Sequence, residues 1–243
     1  MTETDHADVV IVGGGVAGLT AGIFTSRHGL ATVICSSGSS LLRRNAHLEN
    51  YPGFPDGVNS RLLLEMMRAQ ATRSGCTFHD EEVIRVEPIE EGFSIETAGG
   101  DRHTGEYVIA ATKNATDYLE EIDGVEIVDR GTNFVETDER GRTGVEGLYA
   151  AGRMAMKPHQ TVIAAGHGAE VAVTLLEAHR GGFYHDWVAP EGYFTGRGID
   201  VPPAVEEIDE DERRRRELES METMRAYFTD PHPDEPEQHP NVE

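Results

Sequence analysis

The sequence predicts an α/β domain built around a parallel sheet. Residues 8–12 (DVVIV) are a β-branched apolar run, a glycine-rich turn follows, and residues 16–28 have the pattern of a helix that Gly29 can end. Residues 31–35 (ATVIC) are a second short apolar run. Because strands buried on both faces of a parallel sheet are apolar throughout, these segments predict one strand-helix-strand unit.

The elements that follow also mix helices with strands, as an α/β domain requires. A loop-like stretch over residues 36–60 comes first. The later patterns predict a helix over residues 61–73, strands over residues 81–89, 92–98, 106–112 and 147–152, and helices over residues 160–179 and 206–228.

The chain changes character after residue 180, where aromatic, glycine-rich and then highly charged sequence begins. We expect a main domain over residues 1–180, a wrapping segment and charged helix over residues 181–230, and a disordered tail over residues 231–243. In the charged helix, four acidic residues each stand four positions before an arginine, which favours ion pairs along the helix over a phosphate-binding patch. The predicted pairs are Asp209–Arg213, Glu210–Arg214, Asp211–Arg215 and Glu212–Arg216.

The composition excludes one class of partner. The chain has 44 acidic and 21 basic residues and a formal net charge of -23, and its only lysines are Lys113 and Lys157. A polyanion would be repelled, so nucleic acid is not an expected ligand. An acidic surface with arginine in place of lysine is typical of halophilic proteins, in which salt screens the self-repulsion. An acidic mesophilic protein is the alternative.

The two cysteines, Cys35 and Cys76, provide no disulfide framework, C-x-x-C or zinc-ligand spacing. We expect both to be buried structural thiols in a reducing cytoplasm. The acidic amino-terminal segment does not resemble a signal peptide, and no apolar run approaches the roughly 20 residues that span a bilayer. These features predict a soluble cytoplasmic protein without a membrane segment or a metal site.

The glycine-rich turn is the motif that indicates a ligand. Gly13, Gly15 and Gly18 form G-x-G-x-x-G directly after a strand and at the start of a helix, the arrangement that binds the ADP half of a dinucleotide. Free backbone amides and the positive end of the helix dipole hold the phosphates there. The acidic residue that usually binds the ribose is absent, and Cys35, Ser36 and Ser37 stand there instead, of which Ser36 offers a hydroxyl for the ribose.

Three segments together resemble the FAD-binding domain of thioredoxin reductases. They are the glycine turn with its helix, the phrase HLENYPGFPDGV, and GLYAAG followed by HQTVIAAGHGAEVAV. The resemblance covers residues 7–112 and 140–180. It implies a Rossmann-like, three-layer ββα domain with a central parallel sheet and a β-meander, FAD as the cofactor, and a homodimer.

The resemblance also implies a set of cofactor-binding residues. The glycines of the turn would hold the FAD pyrophosphate, and the start of the helix near residue 160 would face the flavin, where positive potential stabilises the anionic reduced form. The implied residues are Gly13, Gly15, Val16, Ala17, Gly18, Ser36, Asn50, Thr112, Gly152, Arg153, Gln160 and Thr161.

The sequence departs from that family in three respects. Arg153 stands where the family has an aspartate that binds the ribityl chain, so either the FAD contact differs, Arg153 faces an anion, or Arg153 is a solvated surface residue. The NAD(P)H domain that the family inserts is missing between about residues 113 and 146, a stretch too short to hold it, since another βαβ unit needs roughly thirty residues on its own. The redox C-x-x-C of that domain is absent with it.

Three histidines, His47, His159 and His167, fall in or near the motif segments. Any of them has the chemistry of a proton donor, and His159, directly before the flavin helix, is the main catalytic candidate. A structural or surface role is the alternative for each.

The sequence therefore predicts a flavin-dependent oxidoreductase that exchanges electrons with a partner protein or a small donor, and not with NADPH bound in its own second domain. Two alternatives stay open. One is a non-catalytic flavin-binding partner or sensor, and the other is a single-domain enzyme resembling thiazole synthases.

Overall fold

The computed structural model describes residues 5–38, 40–182 and 185–239. Its main sheet has the strand order β3-β2-β1-β6-β5-β4, and β9 also pairs with β6. The strands of this sheet are β1 (Asp5–Val12), β2 (Thr32–Cys35), β3 (Thr77–His79), β4 (Val83–Ile89), β5 (Gly92–Thr97), β6 (Arg102–Ala110) and β9 (Leu148–Ala150). The short strands outside it are β7 (Ile127–Asp129), β8 (Asn133–Val135), β10 (Trp187–Pro190) and β11 (Val205–Ile208).

Strand β6 joins the parallel sheet to the meander. Its whole length runs parallel to β1, its first residues pair antiparallel with β5, and its last three residues pair in parallel with β9. The third strand of the meander was predicted to start at residue 106, but β6 begins at Arg102, because this one strand pairs with both β1 and β5. The predicted α/β fold with a central parallel sheet and a meander is confirmed.

Two apolar layers cover the two faces of the parallel strands. Val9 and Ile11 of β1 belong to the cluster packed against the helices, whereas Val10 and Val12 belong to the cluster under the meander. This alternation is the period of two expected of a strand buried on both faces. The result is the predicted three-layer arrangement of helices, sheet and meander.

Four α-helices lie in the described residues. They are α1 (Val16–Arg27), α2 (Ser60–Ser74), α3 (Thr161–Arg180) and α4 (Glu210–Tyr227), each within four residues of its predicted bounds. Helices α2 and α3 end at the left-handed glycines Gly75 and Gly181. Helix α1 packs across α3, which brings the amino ends of the two helices to the same edge of the sheet.

The connection from β6 to β9 is short. Its described residues form a 3-10 turn (Asp117–Leu119) and the antiparallel hairpin of β7 and β8. Tyr118 and Leu119 of the turn are buried under the meander face of the sheet.

The C-terminal extension contains more regular structure than the sequence predicted. Strands β10 and β11 form a parallel pair, and the Glu207 carboxylate accepts hydrogen bonds from the backbone N–H groups of Gly192, Phe194 and Thr195. This parallel pairing was missed, because it depends on contacts between segments separated by a loop. Phe183 and Tyr184, part of the predicted wrapping segment, lie outside the described residues.

Helix α4 contains two of the four predicted ion pairs, and the Asp211–Arg215 prediction is wrong because Arg215 pairs with two glutamates. The Glu210–Arg214 and Glu212–Arg216 pairs are present. The Asp209–Arg213 prediction is wrong, because Asp209 caps the helix by accepting a hydrogen bond from the N–H of Glu212. Two arginines instead form ion pairs with glutamates that follow the arginine run in sequence. These pairs are Arg213–Glu217 and Arg215–Glu219, with Arg215 also paired to Glu212.

Beyond α4, residues 231–239 form no helix or strand. They nevertheless contact the main domain, since Arg43 pairs with Asp234 and Glu237 and His232 pairs with Glu65. Residues 240–243 lie outside the described part of the chain. The division at residues 180 and 230 stays a prediction. Among the described helices, none has both the length and the apolar character to cross a membrane.

Candidate cofactor-binding site

A cleft of about 1230 Å³ opens at the carboxyl ends of β1, β2 and β6. In an open α/β sheet this edge, beside the first strand, is where ligands bind. Most predicted site residues line it. They are Gly13, Gly15, Val16, Ala17, Ser36, Asn50, Thr112, Arg153, His159, Gln160 and Thr161.

The glycine turn forms the floor of this cleft. Gly13 has φ +114°, and a Cβ on it would lie 2.6 Å from the carbonyl oxygen of Ala111. A Cβ on Gly18 would overlap the carbonyl oxygen of Gly13, so Gly18 lies beneath the turn and does not line the cleft. Gly15 differs, because a Cβ there would meet only Oγ of Ser40, at 3.8 Å. The open space above Gly15 is where a ligand can approach the backbone.

Two helix amino ends meet at this cleft, and among the described residues neither has a side-chain capping hydrogen bond. Helix α1 begins after Gly15 and helix α3 after Gln160, and neither has an acidic residue in its first turn. By contrast, Asn59 caps α2 and Asp209 caps α4. The first N–H groups of α1 and α3 have no partner within their helices. Two positive dipole ends are therefore free to bind negative charge.

Asn50 and Gln160 lie in contact although they are far apart in sequence. Nδ2 of Asn50 donates a hydrogen bond to Oε1 of Gln160 at 2.8 Å. This contact joins the LENYPGFP segment to the start of α3. It places Asn50, Gln160 and Thr161 together on one wall of the cleft.

The hydroxyl group of Thr112 is bonded within the chain. It donates to the carbonyl oxygen of Ala115 at 2.8 Å and lies 2.9 Å from the hydroxyl oxygen of the buried Tyr118. Thr112 thus lines the cleft and also fixes the turn that follows β6.

Gly152 is covered by α1 and does not line the cleft. Its φ is +67°, and a Cβ on it would lie 2.8 Å from Cβ of Ala17. Its N–H donates to Nδ1 of His167 at 2.9 Å. His167 is buried, and burial followed by the charge of Lys157 lowers its pKa to about 4. The structure therefore places His167 in a backbone-supporting position.

The other two histidines are accessible. His47 is exposed, and its Nδ1 lies 2.8 Å from Oε1 of Glu49. His159 lines the cleft, and partial burial, followed by the charges of Arg153 and Lys113, lowers its pKa. Both histidines line the cleft, and His159 is the one that directly precedes the N-cap of α3.

The sequence analysis missed two groups of charged residues in the cleft. Arg44 and Lys113 line it together with Arg153, and Glu81 and Glu82 line it beside Ser36. The acids follow β3, whereas the sequence search for a ribose-binding acid was limited to the end of β2. Oε2 of Glu81 is buried and has no hydrogen-bond partner among the described residues.

Both cysteines are buried free thiols. Burial, followed by the charge of Glu81, raises the pKa of Cys35 to about 12. Burial also raises the pKa of Cys76, whose Sγ lies 3.1 Å from Oγ of Ser26. Among the described residues, no group of His, Cys, Asp and Glu side chains is arranged to hold a metal ion.

The segment that contains the glycine turn matches a known family. The family described as FAD binding domain matches residues 8–48. The thioredoxin reductase of Streptomyces coelicolor is 33% identical over 113 residues, which are 45% of this chain and 35% of that protein. These matches support a thioredoxin reductase-like FAD domain in this chain.

Other relatives of this FAD domain show the same limited overlap. The bifunctional thioredoxin reductase/thioredoxin of Mycobacterium leprae is 33% identical over 140 residues, covering 56% of this chain and 30% of that protein. The thioredoxin reductase of Schizosaccharomyces pombe is 35% identical over 117 residues, covering 44% of this chain and 36% of that protein. The chain thus spans about a third of the length of the curated relatives it matches.

Solved structures agree on the fold. The thioredoxin reductase of Gloeobacter violaceus has a TM-score of 0.69 at 21% identity, covering 76% of this chain and 99% of that one. That of T. acidophilum has a TM-score of 0.65 at 18% identity, covering 72% and 99%. At these identities the likeness concerns the fold of the FAD domain alone.

The residues present fit FAD. The uncapped N–H groups at the start of α1 suit a pyrophosphate, the open face of Gly15 admits it, and the start of α3 suits the flavin. When bound, FAD supplies a group that accepts and returns electrons.

Proposed function

We propose that this protein is a flavin-dependent oxidoreductase that exchanges electrons with a partner protein or a small donor, without an NAD(P)H domain of its own. The main support for this proposal is the short connection between β6 and β9. Its described residues form one 3-10 turn and one two-stranded hairpin, whereas a nucleotide-binding unit needs roughly thirty residues of strand, helix and strand.

The thiols support the absence of a dithiol active site. Cys35 ends β2 and Cys76 follows α2, and neither side chain is exposed. A thiolate is the reactive form of cysteine, and a pKa of about 12 keeps Cys35 protonated at neutral pH. Disulfide exchange by these residues is therefore not part of the proposed reaction.

The residues of the cleft have distinct proposed roles. Gly13, Gly15 and the first residues of α1 bind phosphate oxygens, and Ser36 accepts or donates a hydrogen bond at the ribose. Asn50, Gln160 and Thr161 position the flavin. His159 is the proposed proton donor to a bound substrate, because it is the accessible histidine on the α3 wall of the cleft.

The proposal is tested by the visible spectrum of the purified protein under anaerobic addition of NADPH, NADH and a reduced ferredoxin in turn. We expect bound flavin that reduced ferredoxin bleaches and that neither nicotinamide bleaches rapidly. Rapid bleaching by NADPH would refute the absence of a nicotinamide route. Bound flavin that no donor reduces would favour the second candidate, a non-catalytic flavin-binding partner or sensor, which the replacement of an acceptor by Arg153 also favours.

The cellular setting of this reaction is also a proposal. The acidic composition supports a cytoplasm with high salt. A homodimer is proposed from the resemblance alone, and the oligomeric mass in solution tests it.

A further inference from the structure

Three basic side chains converge on the cleft from three different segments. Arg44 ends the 3-10 helix Leu41–Arg44, Lys113 follows β6, and Arg153 follows β9. The chain as a whole carries a formal net charge of -23. A cationic cluster in so acidic a protein marks this part of the cleft as a place for negative charge.

In the part of the chain that the structure describes, no carboxylate pairs with these three side chains. Arginines elsewhere, such as Arg27 and Arg140, pair with acids, but within the described residues no ion pair includes Arg44, Lys113 or Arg153. Nε of Arg153 is buried without a hydrogen-bond partner there. A buried donor without an acceptor costs free energy that a bound oxyanion would recover.

The acids that share the cleft leave this cluster unpaired as well. Glu49 pairs with His47, and Glu81 and Glu82 follow β3. Asp117 is in the turn after Lys113, but it forms no ion pair with any of the three cations.

Holding the cluster together has a cost. Partial burial, followed by the charges of Arg44 and Arg153, lowers the pKa of Lys113, so both arginines repel this lysine. Lys113 also has φ +67°, a left-handed conformation that is strained for a non-glycine residue. Strained residues of this kind cluster at active sites and at ligand-binding positions.

We propose that Arg44, Lys113 and Arg153 form a subsite for the phosphate or carboxylate group of a small-molecule substrate that binds beside FAD. The FAD pyrophosphate has its own donors in the glycine turn and the amino end of α1. The inference rests on the proposed function in that it assigns an anionic substrate to the same cleft.

The test is calorimetric titration of the FAD-loaded protein with inorganic phosphate and, separately, with acetate, at fixed ionic strength and low chloride. We expect the protein to bind at least one of them, and the preferred probe indicates which oxyanion the substrate carries. Arg153→Gln and Lys113→Gln should each weaken that binding about tenfold, because each removes a charge-assisted hydrogen bond. Lys113→Arg should retain it.

Arg130→Gln is the matched control. Arg130 is an exposed arginine in the turn of the β7–β8 hairpin and does not line the cleft, so its loss should leave anion binding unchanged. Lys113 is itself exposed, so Lys113→Gln tests the subsite without disturbing the core.

Three results separate the inference from the proposed function. If the FAD-loaded protein binds neither anion, or if the glutamine variants bind as well as the parent, the subsite is refuted while FAD binding stands. If Arg153→Gln releases FAD, Arg153 serves the cofactor itself and the subsite is also refuted. If the parent protein holds no FAD but binds phosphate through Lys113 and Arg153, the proposed function fails and the subsite stands.

Discussion

The backbone N–H of Gly152 donates a hydrogen bond to Nδ1 of His167, at 2.9 Å. Because Nδ1 accepts, the ring proton of neutral His167 is on Nε2. The bond holds Gly152 at its positive φ and so fixes the start of the segment that carries Arg153. A residue inside α3 thereby determines the position of a cation in the cleft.

The burial of His167, together with the nearby charge of Lys157, predicts a pH dependence of stability. The folded-state pKa of His167 is about 4, below the value of 6.5 for a free histidine, so the unfolded chain gains the proton first as the pH falls. The corresponding stability is present above pH 6.5 and is lost progressively towards pH 4, by about 3 kcal/mol. Denaturant unfolding of the parent and of His167→Asn across this range measures it. The parent should lose more stability than the variant, and equal losses would contradict the assignment.

Two glycines of α3 should respond in opposite ways to alanine. A Cβ on Gly168 would overlap the carbonyl oxygen of Ala17 in α1, whereas a Cβ on Gly166 meets no atom within 4 Å. Gly168→Ala should destabilise the fold by about 3 kcal/mol through overpacking. Gly166→Ala should stabilise it by about 1 kcal/mol, since alanine favours the helix. Urea unfolding measures both, and equal effects would show that the α1–α3 contact is not as close as described.

The two cysteines should be unreactive in the folded protein. Both are buried, and the pKa of Cys35 is raised to about 12. A thiol reagent such as Ellman's reagent should label neither thiol within minutes at neutral pH, and both after denaturation. The Cys35→Ser, Cys76→Ser double variant should keep its flavin reduction rate. Rapid labelling of the native protein would restore a redox role for one of them.

Local patterns were enough to predict the core of the fold and one end of the site. The strand, glycine turn and helix depend on residues that are neighbours in sequence, so residues 8–12 and the G-x-G-x-x-G pattern sufficed. The resemblance predicted Asn50 and Gln160 as site residues. In the structure their side chains form a hydrogen bond of 2.8 Å. The two-sided pairing of β6 was not predictable, because it depends on where β5 and β9 end along the same strand.

Features that depend on packing could not be predicted from the sequence. Gly166 and Gly168 look alike in sequence, but they are separated by about 200° around the helix, so only Gly168 faces α1. Arg44 belongs to no recognisable sequence motif, and only the fold places it in the same cleft as Lys113 and Arg153. The parallel pairing of β10 with β11 likewise joins segments that show no common pattern.

Binding of FAD above Gly15 is the central claim, and Gly15→Val tests it most directly. A Cβ at this position meets only Oγ of Ser40 at 3.8 Å, and φ is -81°, so valine should leave the fold intact while its side chain occupies the space above the glycine turn. The measurement is the flavin absorbance retained after purification and incubation with FAD, with far-UV circular dichroism as the control for folding. We predict that the parent is yellow and that folded Gly15→Val is colourless. A colourless parent that takes up no FAD, or a variant that binds FAD as well as the parent, would contradict the account.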